Sequence, residues 1–568
     1  MSLKNTLLLG EMLISKGLIT ISDLEKALSE HKRTGKFLGV TLIKLNIIDE
    51  DVLMPVISEQ LGIKHVKIQD MKIDQSIVEK VPAKFASHYK IMPINFKDGV
   101  LIVGVLDPLD VRTMDDVRLL LGCEIKPVLC GEKDITDAIK KYYGIGAETL
   151  ERISTEFSPD DTRISFRGAE IQDIEDLAED ASIIKFVNQI ILGGYQDGAT
   201  DIHIEPYNDD LKVRYRIDGI LHDAAIPSTI KQFQAAIISR IKIMANLNIA
   251  ERRLPQDGRI TVKVGEEEVD LRVSVLPTSF GEGIDIRVLS TKMFYDIENL
   301  GLSHDHLQIL EDLIKKPHGI VFVTGPTGNG KTTTLYACLN KMNKKELKII
   351  TIEDPVEYQI SGVTQIHVMP KIGLTFAAGL RSILRHDPDI MMVGEVRDYE
   401  TAEITIRSSL TGHLVFSTLH TNDAAGGITR LLDMGIEPYL VASSVECFIA
   451  QRLVRLICQN CKTEVPVTAE IIRELGVSAE EAKGVAIFEG KGCDACKFTG
   501  YKGRTAIYEF LIVNEAIKDL ILQRTSSDKI KNKAVSEGMR SLAQDGWLKI
   551  KKGITTPAEV LRVAKETS

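Results

Sequence analysis

The stretch VFVTGPTGNGKTTTLY, from Val321 to Tyr336, indicates the class of fold. Gly325, Gly330, Lys331 and Thr332 fit the pattern G-x-x-x-x-G-K-[S/T] without a mismatch. The apolar residues before the loop predict a short buried strand, and the residues from Thr332 onward predict a helix. A loop of this pattern between a strand and a helix is the arrangement that binds phosphate.

The residue types of this loop explain how it would hold a nucleotide. Glycines let backbone N–H groups curl around phosphate oxygens, and the helix N-terminus adds partial positive charge. Lys331 can reach the β- and γ-phosphates, and the Thr332 hydroxyl can hold Mg²⁺. The sequence therefore predicts binding of ATP or GTP and leaves hydrolysis open. The predicted nucleotide-binding residues of the loop are Gly325, Pro326, Thr327, Gly328, Asn329, Gly330, Lys331, Thr332 and Thr333.

The composition limits the classes of protein to be considered. The chain has 568 residues, of which 44% are hydrophobic, so several domains with real cores are expected. With its net charge of −10, the chain lacks the overall positive charge that is typical of nucleic-acid-binding proteins. No run of about 18 uncharged apolar residues predicts a transmembrane helix. The N-terminus carries Glu11 within its apolar run and makes no convincing signal peptide. We expect a cytoplasmic protein that meets a membrane only through partners.

Four of the eight cysteines form two C-x-x-C pairs. The pairs, Cys458 with Cys461 and Cys493 with Cys496, predict a tetrahedral thiolate site for Zn²⁺. Two disulfides are the alternative, which a reducing compartment disfavours. Because no histidine or glutamate joins the cysteines in sequence to activate water, we predict a structural metal site.

The chain divides into segments of different pattern. LLGEMLISKGLITISDLEKAL, from Leu8, is repeated 29 residues later from Phe37, and each copy predicts two short helices. Alternating strands and helices in the last segment predict a parallel sheet with helices on both faces. We predict a helical tandem-repeat module (1–61), a small α+β domain (62–145), an acidic flexible linker (146–180), a second α+β body (181–292) and a nucleotide-binding domain (293–568).

Polar clusters follow three of the strands predicted for the nucleotide-binding domain. Glu353 and Glu357 end one strand, Glu395 the next, and His420 the last. The carboxyl ends of parallel strands meet at one edge of the sheet, beside the phosphate loop. Hydrolysis needs Mg²⁺ held, a water oriented and the γ-phosphate neutralised. We assign Glu395 with Thr332 to Mg²⁺, Glu353 or Glu357 to the water, and His420 to the γ-phosphate, and the division among the carboxylates stays open.

Several of these motifs resemble those of one family of ATPases. GPTGNGKTTTLY, TIEDPVEY, DPDIMMVGEVRD and TGHLVFSTLHTNDA are similar to the phosphate loop, aspartate box, Walker B and histidine box of the secretion-superfamily ATPases. DIHIEPYNDDLKVRYRIDG and KGCDACKFTGYKGRTAIYE resemble the preceding domain and the tetracysteine insertion. The match runs over residues 181–568, and the type IV pilus assembly (extension) ATPases resemble the chain most. The type II secretion ATPases are close relatives.

The resemblance implies a fold and a set of further site residues. It implies an α/β, RecA-like P-loop ATPase domain with a tetracysteine insertion (458–496), preceded by an α+β (PAS-like) domain and a small helical plus α+β N-terminal region. It also implies a hexameric ring in which nucleotide sits between the ATPase domain and the preceding one. Asn329 departs from the family, which usually has Ser there, but it contributes backbone to the loop and binding should survive. The residues implied are Arg272 and Arg287 as fingers, and Arg381, Arg385 and His413 near the nucleotide.

The function implied is that of a motor. The family couples ATP hydrolysis to an inner-membrane platform protein and so extends a pilus, with type II secretion as the alternative. The tetracysteine insertion and the long N-terminal region argue against a retraction motor. A nucleotide-gated scaffold and a nucleic-acid translocase are further alternatives. The complete set of carboxylates disfavours the scaffold, and the acidic net charge disfavours the translocase.

The N-terminal repeat resembles a tandem module that binds cyclic di-GMP in some family members. In those members each unit begins with a basic residue and ends with Gln. Here the two units begin with Leu8 and Phe37, and they end with His31 and Gln60. A helical docking module for a partner at the membrane is the competing hypothesis.

Overall fold

The structure, a computed structural model, describes residues 9–34, 38–45, 47–108, 110–149, 181–265, 267–289 and 296–564. The chain separates into two units, Met1–Val288 and Leu289–Ser568. The larger part of the predicted acidic linker, residues 150–180, lies outside the described residues, as do Leu8 and Phe37.

The first unit begins with four short helices that share one small core. Leu13, Leu42 and Leu53 are completely buried in it. Gly10 lies against the side chain of Leu24, and Gly39 lies against that of Leu53 in the second half. The same contact therefore recurs in both copies of the repeat. The helices are α1 (Leu9–Ser15), α2 (Ile21–Thr34), α3 (Leu38–Lys44) and α4 (Glu50–Leu61).

A three-stranded sheet with four helices follows. The first two strands are antiparallel, and the second and third are parallel. The carboxylate of Glu50 accepts a hydrogen bond from the N–H of Glu132 (2.7 Å), which links the helical repeat to this domain. The elements are α5 (Gln75–Val78), α6 (Ala83–Tyr89), β1 (Met92–Lys97), β2 (Val100–Val105), α7 (Val111–Leu121), β3 (Glu124–Leu129) and α8 (Glu132–Tyr143).

A six-stranded sheet completes the first unit. Its elements are α9 (Ala181–Gln196), β4 (Ala199–Pro206), β5 (Leu211–Ile217), β6 (Ile220–Asp223), α10 (Gln234–Met244), β7 (Gln256–Val264), β8 (Glu267–Thr278) and β9 (Gly281–Leu289). The strand order is β6-β5-β4-β9-β8-β7. Alternate residues of β4 such as Ile202 and Ile204 belong to the core, whereas the intervening Asp201, His203 and Glu205 are polar or charged. Ile145 also belongs to this core.

The second unit is built on a seven-stranded sheet in the order β12-β11-β13-β14-β10-β15-β18. Its strands are β10 (Gly319–Thr324), β11 (Ile349–Glu353), β12 (Thr364–His367), β13 (Ile390–Val393), β14 (Leu414–Leu419), β15 (Val445–Ile457) and β18 (Tyr501–Ile512), with β16 (Lys462–Val465) and β17 (Ile487–Gly490) forming a separate pair. Every neighbouring pair in the large sheet is parallel except β15 and β18, which are antiparallel.

Helices cover both faces of this sheet. Ile320 and Phe322 of β10 belong to one core cluster, whereas Val321 and Val323 of the same strand belong to another. Because successive side chains of a strand point to opposite faces, the two clusters lie on opposite sides of the sheet. The predicted parallel sheet with two covered faces is confirmed. The helices are α11 (His304–Leu313), α12 (Lys331–Met342), α13 (Phe376–Ile383), α14 (Tyr399–Leu410), α15 (Ala424–Asp433), α16 (Pro438–Ser444), α17 (Ala469–Glu474), α18 (Ala479–Ala482), α19 (Glu515–Leu522), α20 (Ser527–Ser536), α21 (Leu542–Lys551) and α22 (Pro557–Ala564).

A search of the described helices for a membrane span gave none that has both the length and the apolar character required.

Candidate active site

The loop between β10 and α12 has the geometry of a phosphate cradle. All six residues of β10 are buried, so the sheet fixes the start of the loop. Gly325 has φ +150°, and a Cβ atom there would lie 2.7 Å from the carbonyl oxygen of Gln451. Gly330, with φ +75°, is the N-cap of α12. Thr327 and Gly328 at the tip of the loop are exposed. The loop thus carries glycine where a side chain would not fit and presents its tip to a ligand.

Lys331 lies within the curl of this loop. Its Nζ donates hydrogen bonds to the carbonyl oxygens of Gly325 (2.6 Å) and Pro326 (3.0 Å). The residue is only 8% exposed. Burial, and next the nearby charge of Arg452, lower the pKa of Lys331 to about 8, while Glu395 acts in the opposite direction. A buried ammonium group that is held only by carbonyl oxygens is well placed to receive phosphate oxygens instead.

Asn329 fastens the loop to β15. Its side-chain oxygen accepts a hydrogen bond from the N–H of Leu453 (3.0 Å), and its backbone oxygen accepts one from the side chain of Gln451 (2.8 Å). Gln451 in turn accepts a hydrogen bond from the hydroxyl of Thr334 in α12 (2.7 Å). Asn329 therefore contributes its side chain as well as its backbone, which the sequence did not show.

Glu395 and His420 meet at the edge of the sheet where β13 and β14 end. Nε2 of His420 lies 3.1 Å from one carboxylate oxygen of Glu395, and Nε of Arg397 lies 2.7 Å from the other. The Glu395 side chain is 13% exposed. The N–H of Gly325 donates a hydrogen bond to the carbonyl oxygen of Leu419 (3.3 Å), the residue before His420, so the Glu395–His420 pair lies at the same edge of the sheet as the loop that holds Lys331. Their individual catalytic roles stay predictions.

Glu353 forms the hub of a buried network. It is 2% exposed, and it accepts hydrogen bonds from Thr351 (2.6 Å), Gln365 (3.2 Å) and the hydroxyl of Tyr336. Burial raises the pKa of its carboxyl group. These hydrogen bonds tie α12 to β11 and β12, and the carboxylate is almost completely buried among its donors. Of the two candidates for the water, the half-buried Glu357 is therefore the better placed.

Three other candidates lie away from the phosphate loop or are paired elsewhere. His413 precedes β14 at the opposite edge of the sheet, where its carbonyl accepts a hydrogen bond from Gly319 (3.2 Å). The guanidinium group of Arg381 pairs with Glu400, and Arg385 donates to the Arg381 carbonyl (2.7 Å). Among the described residues, His413 thus lies away from the nucleotide loop, whereas a role for Arg381 and Arg385 near the nucleotide stays a prediction.

The two predicted finger residues belong to the first unit. Arg287 pairs with Asp201 (2.9 Å), and its side chain is 50% exposed. Arg272 lies on β8 directly opposite Arg259 of β7. Like charges that face each other across strands disfavour the pairing unless something offsets them.

The four cysteines of the insertion meet, as predicted. Their sulfur atoms all lie within 4.8 Å of one another, and Cys458–Cys493, Cys461–Cys496 and Cys493–Cys496 are each 3.8 Å apart. Zn–S bonds of about 2.3 Å in a tetrahedron require S–S edges of about 3.8 Å. The Cys496 sulfur also accepts hydrogen bonds from the N–H groups of Cys493 (3.2 Å) and Gly500 (3.3 Å). None of the four is in a disulfide. The cluster fits Zn²⁺ in a structural role.

We expect the Cys458→Ser variant to lose the bound metal. A structural zinc contributes directly to folding, so the midpoint of thermal unfolding should fall by roughly 5 °C or more. Metal content and thermal unfolding are the measurements, with Cys123→Ser, outside the cluster, as the matched control. Unchanged metal content in Cys458→Ser would contradict the assignment.

Sequence reasoning missed the residues that hold the loop from behind, namely Gln451 and Arg452. Both are buried in β15, where they lie between two apolar stretches, Cys447–Ile449 and Leu453–Val454. Two polar side chains in the middle of a mostly apolar strand were the signal that could have found them.

A phosphate loop at the edge of a parallel sheet, with a carboxylate and a histidine from the neighbouring strands, defines a P-loop nucleoside triphosphatase. Comparison with known families places it further: the family described as type II/IV secretion system protein matches residues 176–562, and the chain belongs to it. The family called MshEN domain matches residues 61–149, which is the small α+β domain rather than the preceding repeat.

Two curated relatives match almost the whole chain. A type IV pilus assembly ATPase PilB of Myxococcus xanthus is 41% identical over 97% of this chain and 98% of its own. A type II secretion system protein E of Xanthomonas campestris is 41% identical over 98% of each chain. The Legionella pneumophila ATPase DotB has a similar structure, with a TM-score of 0.50 and 20% identity over 67% of this chain and 96% of that one. The predicted RecA-like fold and the assignment as an ATPase of the secretion family are confirmed.

Proposed function

We propose that the chain is a motor that hydrolyses ATP with Mg²⁺ to drive extension of a type IV pilus. The observation that carries the proposal is the buried Lys331 within the phosphate loop, with the Glu395–His420 pair at the same edge of the sheet. In this arrangement Lys331 supplies a positive charge for the phosphates, Glu395 a carboxylate for the metal ion, and His420 a group for the γ-phosphate. The similarity to a pilus assembly ATPase over nearly the full length of the chain supports pilus extension as the process that the motor drives.

All candidates except Glu353 and His413 have a place in this proposal. The phosphate loop binds the triphosphate, and Thr332 with Glu395 holds Mg²⁺. Glu357 orients the water, and His420 contacts the γ-phosphate. The chain works as a homo-hexamer, in which Arg272 and Arg287 of one subunit complete the site of a neighbour and Arg381 and Arg385 lie at the same junction. It acts at the inner membrane only through a platform protein, and it takes no nucleic acid as substrate.

Type II secretion is the second candidate, because the Xanthomonas relative is as similar as the pilus ATPase. In the native host, a chromosomal Lys331→Ala allele separates the two candidates. Loss of surface pili with protein secretion intact supports pilus extension. Loss of secretion with pili retained supports the second candidate.

We expect Glu395→Gln to lower steady-state ATP turnover by about 100-fold or more while ATP binding persists, because the charge that holds Mg²⁺ is removed. Phosphate release and binding of a fluorescent ATP analogue are the measurements. Glu403→Gln, which changes a carboxylate of α14 that pairs with Arg407, is the matched control. Equal rates in wild type and Glu395→Gln would favour a nucleotide-gated scaffold.

For the N-terminal region we propose two alternative binding partners. Cyclic di-GMP is one, and a protein partner at the membrane is the other. Titration of the full chain with labelled cyclic di-GMP decides between them, since saturable binding supports the nucleotide and its absence supports docking.

A further inference from the structure

Arg452 is the largest of the completely buried side chains among the described residues. It is 1% exposed and lies on β15. A charged guanidinium group in such a position costs free energy unless its donors are used. One nitrogen, Nη2, donates to the carbonyl oxygen of Asn422 (2.6 Å), and the other, Nη1, donates to that of Gln451 (3.0 Å). A single side chain thus joins β15 to the segment that follows β14.

One end of this contact lies directly beneath the phosphate loop. β10 and β15 are paired with Thr324 opposite Ala450, so the next residues, Gly325 and Gln451, are neighbours. A Cβ atom on Gly325 would be 2.9 Å from Nη1 of Arg452. The first glycine of the loop therefore rests on the guanidinium group.

The other end fixes the segment that carries His420. Asn422 is two residues beyond His420, and the hydroxyl of Thr324 donates to the next carbonyl, that of Asp423 (3.4 Å). The Asp423 side chain caps α15 and pairs with Lys531 (2.9 Å). The segment after His420 is therefore anchored at several points. Arg452 holds the carbonyl group of Asn422 in this segment.

We propose that Arg452 is a positioning residue for ATP hydrolysis, which holds the base of the phosphate loop and the segment after His420 at a fixed distance. Through these two contacts it keeps the His420–Glu395 pair aligned with the γ-phosphate. Its role is therefore to position other groups through these two carbonyl contacts. The inference rests on the ATPase function proposed above.

The test compares Arg452→Lys with wild type. Lysine keeps the charge, but its single nitrogen cannot span both carbonyl groups as a planar guanidinium does. Because small misplacements of reacting groups are costly, we expect kcat to fall at least about tenfold. KM for ATP and the affinity for ADP should stay within about threefold, since the loop itself is intact.

Arg455→Lys is the matched control, because Arg455 is an arginine of the same strand that pairs with Glu559 (2.8 Å) instead of the two loops. It should retain kcat. A kcat of Arg452→Lys within twofold of wild type would overturn the proposal, as would equal losses of kcat and thermal stability in both variants.

A second measurement uses the unaltered chain and needs no variant to fold. Hydrogen exchange is followed with and without ADP, which lacks the γ-phosphate. If Arg452 links the two segments, ADP slows exchange at residues 420–423 as well as in the phosphate loop. Protection confined to the loop would overturn the proposal. Absence of ATP turnover in wild type would instead count against the proposed function, so the two failures are distinguishable.

Discussion

Lys331→Ala should abolish ATP turnover. The Nζ of Lys331 is the buried cation at the centre of the phosphate loop, and it donates hydrogen bonds to two carbonyl oxygens of that loop. Removal leaves those carbonyls facing the phosphates with no positive charge between them. Loss of one preorganised electrostatic group of this kind lowers kcat by about 10²–10³. Affinity for ATP should fall by at least about tenfold, because hydrogen bonds to a charged group are the strong ones. Phosphate release and titration with a fluorescent ATP analogue measure both effects.

Lys341→Ala is the matched control for this variant. Lys341 lies at the far end of the same helix, where it is exposed and pairs with Glu298. Its loss should leave turnover and affinity unchanged within about twofold, as is usual for an exposed ion pair. Full activity in Lys331→Ala would show that the loop described above is not the nucleotide site.

Arg287→Ala should keep nucleotide binding and lose turnover. Arg287 belongs to the first unit, where Asp201 orients it and half of its side chain remains exposed. A guanidinium group supplied to the γ-phosphate acts mainly in the transition state, and such fingers contribute 10³–10⁵ to kcat in the proteins where they are known. We therefore expect a fall in kcat of about 10³ with ATP affinity within about threefold of wild type.

Arg214→Ala serves as the control for Arg287→Ala. Arg214 lies on the same charged face, but its guanidinium group is held by Glu205 through two hydrogen bonds (2.6 and 2.8 Å). It should retain turnover. Equal activity of Arg287→Ala and wild type would remove Arg287 from the site and leave Arg272 to be tested in the same way.

The core of the site could be predicted from the sequence because its signals are local. The pattern of the phosphate loop, the buried strand before it and the helix after it occupy consecutive residues from Val321 to Met342. The rule that parallel strands end at one edge of a sheet predicted that Glu395 and His420 lie near each other, and their side chains are 3.1 Å apart, while their catalytic roles stay predictions. The cysteine cluster followed from spacing alone.

What the sequence did not show depends on contacts between distant segments. Glu353 ends its strand as Glu395 does, yet Tyr336 and Gln365 enclose it, and no local pattern reports that burial. His413 precedes β14 instead of following it, so the same rule places His413 at the opposite edge of the sheet. Arg452 is 30 residues from Asn422 in sequence and meets it only because β15 lies next to β10.

The central claim is that each nucleotide site is shared between two subunits of a ring. We would mix Lys331→Ala and Arg287→Ala proteins, each inactive alone, under conditions in which subunits exchange. In a randomly mixed ring, about one quarter of the sites join an intact phosphate loop to a neighbour's intact Arg287. The account predicts that ATP turnover returns in the mixture, to about that fraction of the wild-type rate. Mixed rings that contain both subunits and remain as inactive as either variant alone would contradict it.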